Sequence, residues 1–201
     1  GVGAASNPRS SLFTYTQALI VYVNHHNPEK PMNLPVLALS LPLVFMLHDF
    51  EELIGAEPWL HANRAALLQR FPRLAPPLLA HMQRMAGAPF TCSVCLLFVL
   101  LTLLSCYAAL SGDYRLWYGV LVAFTAHLFV HLLQWALWRR YIPCILTSLL
   151  ALPYGFWALA QDFPLTAAEK WHWSGVAALL VLALLALLHL FMPRLARWLN
   201  R

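Results

Sequence analysis

Apolar residues in this chain gather into five long runs, at 34–54, 90–110, 116–138, 142–160 and 176–192, separated by short polar connections. Four of the runs are almost free of charge, and the first carries an acidic cluster at its far end. A helix rising 1.5 Å per residue needs about 20 apolar residues to cross the hydrocarbon layer of a bilayer. Each run meets or approaches that length once its flanks are counted. The pattern predicts an all-α integral membrane protein, a five-transmembrane-helix bundle with short cytoplasmic loop helices. The loop at 55–89 reads as two such helices, 62–70 and 74–85, split by Phe71-Pro72. No internal repeat breaks the pattern, so residues 32–201 read as one five-span membrane domain.

Composition agrees. The 201 residues are 61% hydrophobic and 10% charged, whereas a soluble domain carries about 25% charged residues. The net charge of +5 does not point to nucleic acid, because the basic residues sit in the connections between runs. Arg64, Arg70, Arg73 and Arg84 lie in one connection, Arg139 and Arg140 in another, and Arg194, Arg197 and Arg201 in the tail. Five spans bring these three regions to one side, leaving Arg9, Lys30, Arg115 and Lys170 on the other. The excess of Lys and Arg marks the cytoplasmic side. The expected placement is a bacterial inner (plasma) membrane, with the N-terminus outside and the C-terminus inside.

Residues 1–31 differ in character. They contain a 13-residue stretch, 11–23, too short to span as a straight helix, and read as an interfacial or disordered extension rather than a signal peptide. Cys92, Cys95, Cys106 and Cys144 all lie within or beside runs, which argues against a disulfide framework.

The chemistry concentrates in His48-Asp49-Phe50-Glu51-Glu52 at the end of the first run. An acid at a bilayer centre costs roughly 2.5 to 3.5 kcal/mol on insertion scales, and less toward a helix end. Three acids beside a histidine need a metal, a cation, shared protons or a polar pocket. On a helix, His48 shares a face with Glu51 and Glu52, while Asp49 lies a quarter-turn away. The third run offers His127 and His131 one turn apart, with Gln134 continuing that face. His48 lies about 10 Å of helix rise before Gly55, and His131 about 12 Å before Arg139, so both fall below the same cytoplasmic surface. His189, about 8 Å before Arg194, is at similar depth. Against this stand plainer readings: the acids can snorkel to Arg64 or Arg139, and the histidines can simply bond between helices.

His48-Asp49-Phe50-Glu51-Glu52 resembles the signature of the HXXEE-domain membrane proteins. His127-x-x-x-His131 followed by Arg140-Tyr141-Ile142-Pro143 and Thr147 is similar to a later block of that family. The resemblance covers roughly residues 32–155. It departs at Cys144, where the family pattern has Gly, and that departure bears on loop geometry more than on the site. The family is functionally uncharacterised, so the resemblance implies a membrane site and no reaction.

The leading expectation is a membrane-embedded metal-dependent enzyme, a hydrolase or oxidoreductase, acting on a lipid or other apolar substrate. His48, Glu52, His127 and His131 are the metal ligands, and Glu51 and Glu52 the catalytic carboxylates. Zinc takes three His or carboxylate ligands and an activated water, and iron suits the same mixture of donors. The alternatives are a metal-free acid–base lipid cyclase or isomerase, and a proton or cation transporter using the same carboxylates.

Overall fold

The computed structural model describes residues 33–199, so the expected extension at 1–31 lies outside the described residues. Six helices follow one another: α1 (Leu34–Arg70), α2 (Ala75–Met85), α3 (Ala88–Ser111), α4 (Arg115–Trp138), α5 (Ile145–Leu159) and α6 (Ala167–Leu199). The described residues contain no strand. Four helices are long and apolar enough to cross a membrane: α1, α3, α4 and α6 as far as Arg194. That is one fewer than the five apolar runs predict. The run at 142–160 becomes α5, only 15 residues, about 22 Å at the usual rise against about 30 Å of hydrocarbon. Pro143 and the positive-φ Cys144 occupy the start of that run, before the helix begins at Ile145.

The loop helices also differ from expectation. Residues 62–70 continue α1 without a break, through Pro58. The chain turns only at 71–74, so α2 alone is a separate loop helix. The end of α1 is tied to the α4–α5 corner. Trp59 Nε1 donates to the Tyr141 carbonyl at 2.8 Å and the Arg70 guanidinium to the Leu137 carbonyl at 2.9 Å. Trp59 and Phe71 pack there on Trp138, Ile142 and Ile145.

Many large side chains point outward, among them Leu47, Leu103, Leu110, Leu150 and Leu182. Where lipid is the solvent, nothing drives them inward. Helices then associate through close packing and hydrogen bonds, which favours small and hydroxyl-bearing residues inside. Ser93, Ser105, Thr125, Ser148, Ala38, Ala108, Ala158 and Ala177 are buried accordingly. Buried Trp117 donates to Ser105 Oγ at 3.1 Å, joining α4 to α3. α1 packs on α3, and α4 on both α5 and α6.

α5 connects the two ends of α4. Ile145 packs beside Trp138, and past the helix Phe163 packs on Tyr114, Trp117 and Tyr118. At that second end the α3–α4 turn is held by Asp113, whose carboxylate accepts from Arg115 Nε at 2.8 Å. The hydrogen bond from Arg115 holds the Asp113 carboxyl down to about 2. The other turn, 139–144, begins and ends on non-glycine residues with left-handed backbone, Arg139 at φ 60° and Cys144 at φ 78°. Each such conformation costs an L-residue roughly 1–2 kcal/mol.

α4 and α6 approach closely at Gly119, where an added Cβ would overlap the Trp173 carbonyl and lie 2.8 Å from Ala177 Cβ. Gly119→Ala should therefore push the helices apart and lower the melting temperature in detergent, a loss of about 1–3 kcal/mol. Gly175→Ala, with nothing within 4 Å of the new methyl, should leave melting unchanged or raise it. Equal melting of the two variants would rule out the close approach.

Candidate functional site

On α1, His48 and Asp49 extend the buried face of Leu37, Leu41 and of Ala38, Pro42, each set stepping by four and then seven residues, as one helix face requires. On α4, Trp117, Leu121, Phe124, Leu128 and His131 are buried at alternating steps of four and three, the seam spacing of a packed helix pair. Packing periodicity thus carries two histidines into the interior. His48 is 1% exposed and His131 5%. Their ring centroids stand 5.1 Å apart, with His127 at 5.5 Å from His48 and 4.4 Å from His131. One ligand nitrogen from each of the three rings lies within 4.8 Å of the others.

Glu51 sets the orientation of this cluster. Its Oε2 accepts from the Thr147 backbone N–H at 2.8 Å and from the Thr147 hydroxyl at 2.6 Å, and its Oε1 from the Tyr141 hydroxyl at 2.9 Å. The Thr147 hydroxyl has one hydrogen, given to Glu51. The 3.2 Å contact between His48 Nδ1 and that same oxygen is then a bond donated by the ring. This leaves the lone pair on His48 Nε2, which is buried and has no hydrogen-bond partner, one of three such side-chain atoms among the described residues. Buried polar atoms are seldom left so, because desolvation without a partner costs about 1–3 kcal/mol.

His131 is oriented in a parallel way. Its Nδ1 meets the Gln134 side-chain carbonyl at 3.0 Å, so the ring carries its proton there and turns the Nε2 lone pair toward His127 Nε2, 3.0 Å away. Fixing the tautomer of a histidine through its other nitrogen is the usual preparation of a metal ligand.

A second donor group adjoins the first. Glu52 of α1, His131 of α4 and Cys144 of the α4–α5 turn place a ligand atom each within 4.8 Å of one another. Cys144 is 1% exposed. The structure thus brings His48, His127 and His131 together, and sets Glu52 with His131 and with Cys144, which the sequence reading did not name as a ligand. Glu51 stands apart, its carboxylate occupied by Thr147 and Tyr141. Asp49 is buried but belongs to neither donor group. His189 also lies outside both. It stacks on His81 of α2, centroids 5.0 Å apart and planes within 20°, and parallel rings cannot direct both in-plane lone pairs at one ion. Sequence reasoning missed the parts played by Thr147, Tyr141 and Cys144. The signals available were the family block, which holds Tyr141 and Thr147 with Cys144 as its departure, and the occurrence of a phenol, a thiol and a hydroxyl within seven residues.

Comparison with known proteins adds a family and nothing more. No curated protein and no solved structure matches the chain. The family model described as "Protein of unknown function with HXXEE motif" matches residues 39–158. That interval contains His48 with Glu51 and Glu52, both α4 histidines, Thr147 and Cys144, which is to say the whole constellation. The chain therefore belongs to the HXXEE family.

Proposed function

We propose that the protein is a membrane-embedded metal-dependent enzyme. His48, His127 and His131 hold a divalent metal, zinc or iron, with Glu52 as a further ligand or as the base that takes a proton from a metal-bound water. The reading is carried by His48 Nε2, a buried lone pair with no partner, set beside two histidines of another helix. Three imidazoles leave a coordination position open for water or substrate, the arrangement of a catalytic rather than a closed structural site. Glu51 is already saturated by three donors, which leaves Glu52 for proton transfer.

An apolar or lipid substrate fits the exposure of the cluster. His48 and His131 are buried, whereas His127 is exposed on a helix flanked by the outward-facing Phe129, Val130 and Leu133. The cluster thus opens sideways, toward the medium that those apolar side chains face. For topology, we favour five crossings with the N-terminus outside and the C-terminus inside. Support comes from the path of α5 and its flanks between the two ends of α4, together with the clustering of Arg residues near one end. That orientation sets the site near the cytoplasmic face.

Purified protein should contain close to one zinc or iron per chain. At a hundredfold excess over Kd, metal should add about 2.7 kcal/mol of stability, because it binds the folded state. His131→Ala should abolish that gain. Protein that binds neither metal, and whose melting ignores chelator, would overturn the metal reading.

Removing the orienting hydroxyl in Thr147→Val should weaken metal affinity by about 10–100-fold, the usual effect of losing an outer partner. Glu51→Ala should chiefly lower melting of the metal-free protein, whereas Glu52→Ala should chiefly lower metal content. Identical profiles for the two would contradict the division of labour between them. For topology, a reporter fused after Arg201 should be active only if it functions in the cytoplasm.

A further inference from the structure

Cys144 is the one donor of the site that the turn holds in a conformation unfavourable to it. Its φ of 78° lies in the left-handed region, where glycine alone is free of Cβ strain. Its thiol is buried against Glu52 and His131, each brought by a different helix. A glycine would relax the backbone and leave that space empty; the cysteine fills it with sulfur.

We propose that Cys144 supplies a thiolate ligand to the centre, in a donor set with Glu52 and His131, so that the protein selects a thiophilic divalent cation of the zinc class over magnesium, calcium or manganese. The inference rests on the metal reading above and specifies its cation. Tetrahedral zinc holds N, O and S donors roughly 3.4–3.6 Å apart, given bonds of 2.0–2.3 Å. Donors already within 4.8 Å need to close by little more than an ångström. His131 belongs to both donor groups and is the ligand they share. The ring of His48, whose buried Nε2 has no partner, stands 5.1 Å from that of His131. Oxygen-seeking ions gain little from sulfur and imidazole, whereas zinc, cobalt and cadmium gain much. Binding displaces the thiol proton to solvent, so that sulfur coordinates as the anion.

The full chain in detergent, loaded with cobalt(II) as a spectroscopic substitute for zinc, tests this directly. The expected result is a near-ultraviolet thiolate-to-cobalt charge-transfer band in the wild type. The band should persist when Cys92, Cys95 and Cys106 are replaced by alanine, and vanish in Cys144→Ser and Cys144→Gly. Zinc affinity should fall at least tenfold in both Cys144 variants. Cys144→Gly alone should melt higher than wild type when metal-free, because it relaxes the turn. Cobalt bound without the sulfur band would overturn the thiolate proposal and leave the histidine centre standing. A band that survives in Cys144→Gly would do the same. Failure of the wild type to bind cobalt or zinc at all would instead remove the metal reading on which the proposal rests. Since the first measurement is made on wild-type protein, poor folding of a variant does not protect the proposal.

Discussion

A half-buried carboxylate at the edge of an apolar bundle is held in place when donors replace the water it has lost, and Glu51 receives three. Charge-assisted bonds of this kind are about twice as strong as neutral ones. Here they come from a backbone N–H, a hydroxyl and a phenol, all on the segment from Tyr141 to Thr147. One side chain of α1 therefore determines where the start of α5 sits. Because Thr147 spends its hydrogen on Glu51, the same carboxylate decides which nitrogen of His48 carries a proton. A structural tether and the preparation of a ligand are here one network.

Packing supplies the second half of the site. His131 is buried because it occupies a seam position on α4, where the neighbours at the preceding steps are Leu128, Phe124 and Leu121. The seam itself depends on helices that come close, as Gly119 allows against Trp173 and as Gly155 allows against Thr125. A polar residue in such a seam is costly unless matched, and Gln134, His127 and the α1 side chains provide the match.

Much of this was legible in the chain. Helical class followed from runs of apolar residues, since length and lack of charge are properties of sequence alone. The convergence of His48 with His127 and His131 could be anticipated because helix rise converts residue number into depth, and basic residues fix which end is which. The fourth apolar run misled as to length. Hydropathy registers Ile142 and Pro143 as part of a span, but the backbone there is still completing a turn that ends at Cys144. The division between Glu51 and Glu52 was equally hidden. The two are adjacent and chemically equivalent, and only the direction each takes from the helix separates a saturated carboxylate from an available one. Fusion of 62–70 with α1 was missed because Pro58 suits the first turn of a new helix, whereas tertiary contacts of Trp59 and Arg70 hold one continuous helix through it.

The brevity of α5 has an effect beyond its own length. A 15-residue helix set among helices of 24 and more would, on crossing a bilayer, produce hydrophobic mismatch, which a bilayer relieves by thinning locally. Were α5 to cross a bilayer, the turn at 139–144 would be the end at which such thinning meets the site, and the headgroup layer would dip toward Thr147 and Cys144. Water and headgroups would then reach down toward the histidines, which need not rise to meet them. The depth of such a site would be set by the membrane's deformation as much as by the protein's own shape.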